Sequence, residues 1–369
     1  MACVRGRIGT QERTQLRTLL LADPGALSGL LLAAQRRLLL AAMIDGLEAK
    51  GILHPVSGPA DGPVSIRSEF GRLRREHESR RNIQRDALRE IILALNARGI
   101  EPLVIKGAVS LLTGSPSWRF QRDLDFAVEP SDAGRTMAIL RDIGFSMLKP
   151  MSARHHHLDC MWRGDLPVVV EPHIRINGPR ASRLLHGIAM GSTARSLTID
   201  GLKVRLLRPE HALIHGMVHH HFENRGSNFG VIALKGLLEF ADQLGDLDEA
   251  AAADLVRQLR QRPRLQATVE LWVAASQRWL DVIAPECIKP GKTALDRIDR
   301  MTARLARPEP ASIGVALREE IAGLVGVSEG SDLLKSPGAL WGPFVDCLAN
   351  RPWGGRPRAL KAAGLLTLC

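Results

Sequence analysis

Tyrosine is absent from this 369-residue chain, and Phe and Trp together bring the aromatic content to only 4%. Proteins that grip single-stranded nucleic acid stack bases on such rings, so their scarcity argues against a dedicated single-strand binder. It also leaves Leu, Ala, Val and Ile to fill the interior, within a hydrophobic content of 45%. The five cysteines (Cys3, Cys160, Cys287, Cys347 and Cys369) are odd in number and never spaced as C-x-x-C. This pattern argues against a disulfide framework or a cysteine-based zinc ribbon and fits a reduced, cytoplasmic setting. No long bilayer-spanning run stands near the start either, because "ALSGLLLAA" and "LLLAAMI" are split by Gln35, Arg36 and Arg37. Glu12 and Asp23 count against a transit peptide in the arginine-bearing opening, and no membrane partner is expected.

Positive charge is in excess: 50 Lys and Arg against 39 Asp and Glu, a net charge of +11. Polyanions such as a nucleoside triphosphate, RNA or an acidic protein are natural partners, and charge alone does not choose among them.

Leu27, Leu31, Ala34 and Leu38 recur at helical spacing within residues 26–50, with Gly46 and Gly51 flanking the stop, which predicts a core-facing helix. The Pro/Gly-rich stretch 51–65 reads as a loop, and 66–98 as a long helix whose arginine-rich first half lies on the surface or against a polyanion. The pattern then shortens. "EPLVIKG" predicts a strand, "AVSLLTG" a helix, "RDLDFAV" a strand, and "PSDAGRTMAILRDIGF" a helix capped by Ser131 or Asp132 and stopped at Gly144. Further strands are expected at 156–162 and 166–176, then a hairpin turning at Asp200-Gly201. Helices resume from Pro209, near 209–222, 230–244, 248–262 and 265–283. The expected organisation is a helical region over 1–98, an α/β core over 99–207 and a second helical region over 208–369.

Within that core, Asp123 and Asp125 stand one residue apart in an otherwise apolar strand, so both side chains share a face. Burying two anions together is costly unless a cation sits between them. The bare spacing decides nothing, since 39 acidic residues in 369 yield about four such pairs by chance. A third carboxylate, Glu171, lies in the apolar run "VVVEPHI", and if the two strands are neighbours, three carboxylates converge. Such a cluster suits Mg²⁺ or Mn²⁺ bridging to phosphate oxygens. "VIKGAVSLL" supplies a phosphate-facing half: Gly107 admits a close backbone approach, and Lys106 reaches a phosphate. An anion cluster of this kind destabilises a cation-free protein slightly, so replacing either aspartate is expected to leave the fold intact.

The order strand, Lys106-Gly107, helix, Arg119, "DLDFAV", helix, "VVVEPHIRI" and "LRPEHALIHGMVHHH", over roughly 95–245, resembles the uncharacterised nucleotidyltransferase family of the DNA polymerase β-like superfamily. The resemblance implies an α+β fold, with a small mixed-sheet core flanked by helical N- and C-terminal regions. It implies transfer of a nucleoside monophosphate from an NTP to an acceptor hydroxyl or phosphate, with two metal ions and release of pyrophosphate. The acceptor (small molecule, peptide, protein or RNA) is left open, and the alternative is a catalytically silent nucleotide- or RNA-binding module. Carried over, Asp123 and Asp125 are metal ligands, and Glu171 is a third ligand or the base for an acceptor hydroxyl. Lys106, Gly107, Arg119 and Arg122 face the nucleotide or support its loop, and His173 and His219 are candidate substrate-facing groups. The chain departs from the pattern with Glu171 where Asp is commoner, and with Lys-Gly where the superfamily has Gly-Ser. Pro172, which lacks a donor, suggests an edge strand or bulge.

The remaining polar features have plainer readings. In the triplets His155–His157 and His219–His221, three consecutive imidazoles cannot all face one point on a regular element, so His215 and His219 at i, i+4 make the better ligand pair. No Cys or carboxylate completes a zinc pattern, and polar contacts near a phosphate site are expected instead. Glu239 is expected to pair with Lys235 at i, i+4, and Cys160 and Trp162 to pack a core.

Overall fold

Asp200 and Gly201 both adopt positive φ (48° and 80°) and close a tight hairpin, as Asp-Gly between alternating residues requires. That hairpin is one end of a seven-stranded mixed sheet. The computed structural model describes residues 39–49, 66–151, 156–166, 168–223 and 232–305, together with Ala34 and residues 11, 14, 15 and 18. Two helices come first, α1 (Leu40–Ala49) and α2 (Ile66–Asn96). Next come β1 (Leu103–Val104), α3 (Gly107–Thr113), β2 (Asp123–Ala127), α4 (Ala133–Asp142), β3 (Ser146–Lys149), β4 (Cys160–Trp162) and β5 (Val169–His173). The sheet closes with α5 (Pro179–Leu184), β6 (Arg195–Ile199) and β7 (Leu202–Leu206). The helices α6 (Pro209–Val218), α7 (Leu234–Gly245), α8 (Glu249–Arg260), α9 (Pro263–Leu280) and α10 (Lys292–Leu305) follow, with a π-helical turn at His219–Glu223. Helices thus stand before and after a mixed sheet, the α+β arrangement expected.

The strand order is β3-β4-β5-β2-β1-β7-β6, with β2 parallel to β5 and β1 parallel to β7. Alternation along β2 divides the interior. Leu124 and Phe126 enter one apolar cluster with Ile91, Ile92 and Leu95 of α2, Leu140 of α4 and Val170 of β5. Asp123 and Asp125 therefore look the other way, toward the cluster that holds Met217 of α6, Leu237 and Phe240 of α7 and Trp272 of α9. The C-terminal half of α2 packs into the same apolar cluster as the sheet.

Several local expectations are revised. Strand β3 lacks an alternating pattern, its two apolar residues Met147 and Leu148 being adjacent, and all four of its residues are exposed at the sheet edge. Helix α1 runs through Gly46 to Ala49, whereas Leu27, Leu31, Leu38 and the 51–65 stretch lie outside the described residues. Asp132 stands before α4 but makes no cap bond, its carboxylate accepting instead from Arg135 Nη1 at 2.7 Å. Strand β5 is interior rather than an edge. Pro172 fits there because its carbonyl accepts from Leu158 N, so its donorless nitrogen faces the same side, past the last β4 pair at Val170.

The arginines of α2 are largely met by protein acceptors. Arg74 pairs with Asp45 and Glu48 of α1, Arg72 with Glu76, and Arg81 donates to the carbonyls of Ser110 (3.0 Å) and Arg119 (3.1 Å). Among the described residues no helix is long and apolar enough to cross a membrane.

Candidate active site

Parallel pairing sets Asp125 directly opposite Glu171, with Asp123 opposite Val169 and Ala127 opposite His173. Residues in register on adjacent strands project to the same face, so Asp123, Asp125, Glu171 and His173 share one wall. Asp125 is 3% exposed and His173 fully buried. Lys106 Nζ donates to Asp125 Oδ1 at 2.7 Å, and His173 Nε2 lies 2.9 Å from the same oxygen. One ligand atom each from Asp125, Glu171 and His173 falls within 4.8 Å of the others, and the same holds for His156, His157 and His173. Asp123 belongs to neither close group, although it lines the same cavity.

The electrostatics of the three carboxylates diverge. Burial pushes Asp125 up, but the Lys106 ammonium and the His173 imidazole outweigh it and hold this carboxyl far below the usual range. Burial and then Asp125 push Asp123 up. Glu171 is raised to about 7 by burial, by Asp125 and by Asp123. Two of the three carboxylates therefore carry charge only at a cost, which a divalent cation in the cavity would remove. The donor set, carboxylate oxygens with one imidazole, fits such an ion.

The loop before α3 is built around a strained residue. Lys106 takes φ 51°, ψ −131°, a region rarely open to a side-chain-bearing residue and costing about 1–3 kcal/mol. Arg119 holds it there, Nη1 donating to the Lys106 carbonyl at 2.6 Å and Nη2 to Glu239 Oε2 at 2.7 Å. Glu239 is buried, which raises its pKa, yet Arg119 and then His220 bring it down to about 2. Its Lys235 contact, 3.8 Å, is present as expected, but Arg119 is the nearer partner.

Gly107 abuts Gln121, since a Cβ built on it would sit 2.2 Å from Gln121 Oε1 and 3.0 Å from Gln121 Cβ. Gln121 is 3% exposed and has little room to retreat. Gly107→Ala is expected to cost about 1–3 kcal/mol in urea unfolding, with part recovered when Gln121→Ala is added.

The carboxylate wall opens on a cavity of about 700 Å³, whose lining also includes Lys106, Gly107, Arg119, His219 and Lys235. Arg122 is placed elsewhere: one residue before Asp123, it lines a separate cavity of about 1000 Å³ with Phe120, Trp118 and Trp162. The second histidine triplet points three ways, as a helical turn demands. His219 lines the site cavity, His220 Nε2 lies 3.4 Å from Glu239, and His221 accepts from Trp272 Nε1 at 3.3 Å. His215 is buried, which brings it down to about 3. Glu210 is fully buried and paired with Arg208 at 2.7 Å. Cys160 is a buried thiol raised to about 11 by burial and by Glu171, so it stays protonated. Sequence reasoning missed the gathering of His156 and His157 onto His173, since only the pairing of 156–158 with the end of β5 reveals it.

The model of the uncharacterised nucleotidyltransferase family matches residues 28–281, more than half the chain, and the chain belongs to that family. No curated protein matches it. Among solved structures it is similar to the antibiotic-resistance factor ANT(2'')-Ia in solution, at 14% identity over 49% of this chain and 92% of that one, TM-score 0.36. The same factor crystallised with adenylyl-2''-tobramycin is 15% identical over 49% of this chain and 98% of that one, TM-score 0.35. An antigenic nucleotidyltransferase-like protein from Paracoccidioides brasiliensis is 16% identical over 50% and 90%, TM-score 0.29.

Proposed function

We propose that the protein transfers a nucleoside monophosphate from an NTP to an acceptor hydroxyl or phosphate, in a reaction dependent on Mg²⁺ or Mn²⁺ held by Asp123, Asp125 and Glu171. The observation that carries this reading is the register that sets Asp125 opposite Glu171, with Asp123 on the same face. When bound, the divalent ions would bridge these carboxylates to phosphate oxygens and offset the charge of the reacting phosphates. Lys106, now on Asp125, and Lys235, on the same cavity, are the cations assigned to the triphosphate. The acceptor oxygen forms a bond to the α-phosphorus, the bond from that phosphorus to its bridging oxygen breaks, pyrophosphate leaves, and a hydroxyl acceptor gives up its proton to water. Arg119 acts through the Lys106 carbonyl and is a positioning residue in this scheme.

The test is incubation with each α-labelled NTP, Mg²⁺ or Mn²⁺, and a cell extract separated into RNA, protein and small molecules. Label is expected in one fraction, and that fraction defines the acceptor class. No label in any fraction, together with salt-sensitive RNA binding indifferent to Mg²⁺, would instead make the chain a silent binding module.

A pH dependence follows from Glu171. Its folded pKa of about 7 lies above the unfolded 4.5, so the cation-free protein draws stability from the protonated form below 4.5 and loses it as pH rises through 7. Ion binding must expel that proton, and affinity is expected to rise with pH up to about 7 and flatten above. Calorimetry in two buffers of different ionisation enthalpy should record proton release below pH 7, and Glu171→Gln should remove it.

A further inference from the structure

We propose that His156, His157 and His173, with Glu171 at their edge, form a nitrogen-rich seat for a transition-metal ion of the Zn²⁺ or Co²⁺ kind, separate from the oxygen-ligated position assigned to Mg²⁺ or Mn²⁺. This seat rests on the geometry of the wall and not on the transfer reaction, although both use Glu171.

The residues reach one place by backbone pairing. His157 forms an antiparallel bridge with His173. The His156 carbonyl accepts from Ile174 N (3.0 Å) and Arg175 N (3.3 Å), and Leu158 N donates to the Pro172 carbonyl (2.7 Å). Residues 156–158 are thereby zipped onto the end of β5, which allows two consecutive histidines to meet a third, something a regular strand or helix forbids. The ring centroids of His156 and His157 are 4.0 Å apart, those of His157 and His173 4.0 Å, and those of His156 and His173 5.5 Å. His157 Nε2 and His156 Nε2 are 2.7 Å apart, and His157 Nδ1 is 3.3 Å from Glu171 Oε2.

A neutral imidazole carries one ring-nitrogen lone pair, and lone pairs that converge repel unless a proton or a cation sits among them. One ring nitrogen each of His156, His157 and His173 lies within 4.8 Å of the others, which brings three such donors together. Three His nitrogens are a donor set suited to Zn²⁺, whereas Mg²⁺ takes oxygen ligands and keeps its waters. The second carboxylate of the wall, Asp125, already holds Lys106 and contacts His173 at 2.9 Å, so it orients one ligand of the seat.

The test is a Co²⁺ titration of chelator-stripped full-length protein carrying no polyhistidine tag, read by the visible ligand-field absorption of bound Co²⁺. One equivalent is expected to bind with the intense bands of a low-coordinate nitrogen-rich site, to resist excess Mg²⁺ and to be displaced by Zn²⁺. His157→Gln alone, and His156→Gln with His157→Gln, should weaken Co²⁺ by ~100-fold or more while far-ultraviolet circular dichroism stays unchanged. Asp123→Asn should leave the bands intact, which separates failure of this seat from failure of the nucleotidyl-transfer reading. Absence of the bands, displacement by Mg²⁺, or undiminished binding in folded His156/His157 variants would overturn the proposal.

Discussion

Asp125→Ala should reduce nucleotidyl transfer by about 10³-fold or more and also cost about 3 kcal/mol of stability, while Asp123→Ala should match the first effect without the second. Sequence alone predicts that either replacement spares the fold, because two neighbouring anions repel. The structure separates them. Asp125 is buried between Lys106 at 2.7 Å and His173 at 2.9 Å, so removing it strands a largely buried ammonium. Among the described residues Asp123 forms no ion pair, and it is pushed up by burial and by Asp125, so its loss relieves repulsion. Thermal unfolding of the two variants in the absence of divalent ions, beside pyrophosphate release in their presence, checks both halves. Equal stabilities for the two would contradict the assignment of Lys106 to Asp125.

Arg119→Ala is expected to cost about 3–5 kcal/mol, the usual consequence of breaking a buried ion pair by removing one partner. Among the described residues Glu239 would retain His220 at 3.4 Å and Lys235 at 3.8 Å. Because the folded pKa of Glu239, about 2, lies below the unfolded 4.5, its contribution is present above 4.5 and is lost as pH falls toward 2. In Arg119→Ala this carboxyl is no longer held down, so the loss of stability between pH 4.5 and 2 should shrink and the variant and wild-type profiles should converge at low pH. The second consequence is local: without its carbonyl anchor, Lys106 can leave φ 51° for an ordinary conformation and carry its ammonium away from the cavity. Adding Glu239→Gln should restore most of the stability and little of the activity. Full recovery of both would reduce Arg119 to a packing role.

The parts of this arrangement that sequence made legible are those with short-range causes. Alternation in "RDLDFAV" put both aspartates on one face, and the apolar run around Glu171 marked a strand able to lie beside it; the register of β2 and β5 agrees. Asp-Gly at 200–201 announced its hairpin, and the periodic helices after Pro209 are present. The parts that stayed hidden depend on contacts between distant segments. Nothing local says that Lys106 turns onto Asp125, that Arg119 bridges the Lys106 carbonyl to Glu239, or that Arg122 faces a different cavity from Asp123. Strand β3 escaped notice because an exposed edge needs no apolar pattern, and Pro172 suggested an edge because the side its nitrogen would face cannot be read from composition. The first histidine triplet was discounted by the geometry of regular elements, which does not govern the irregular segment at 156–157.

The claim on which the account depends is that carboxylates from two adjacent strands hold divalent ions for a nucleotide. Titration of Mn²⁺ into the protein with a non-hydrolysable NTP analogue, followed by the electron paramagnetic resonance signal of free Mn²⁺, tests it most directly. The account predicts that wild-type protein removes the free-ion signal in the presence of the analogue, and that Asp123→Asn and Asp125→Asn do so at least tenfold more weakly while still folded. Undiminished Mn²⁺ uptake by both folded variants would contradict it.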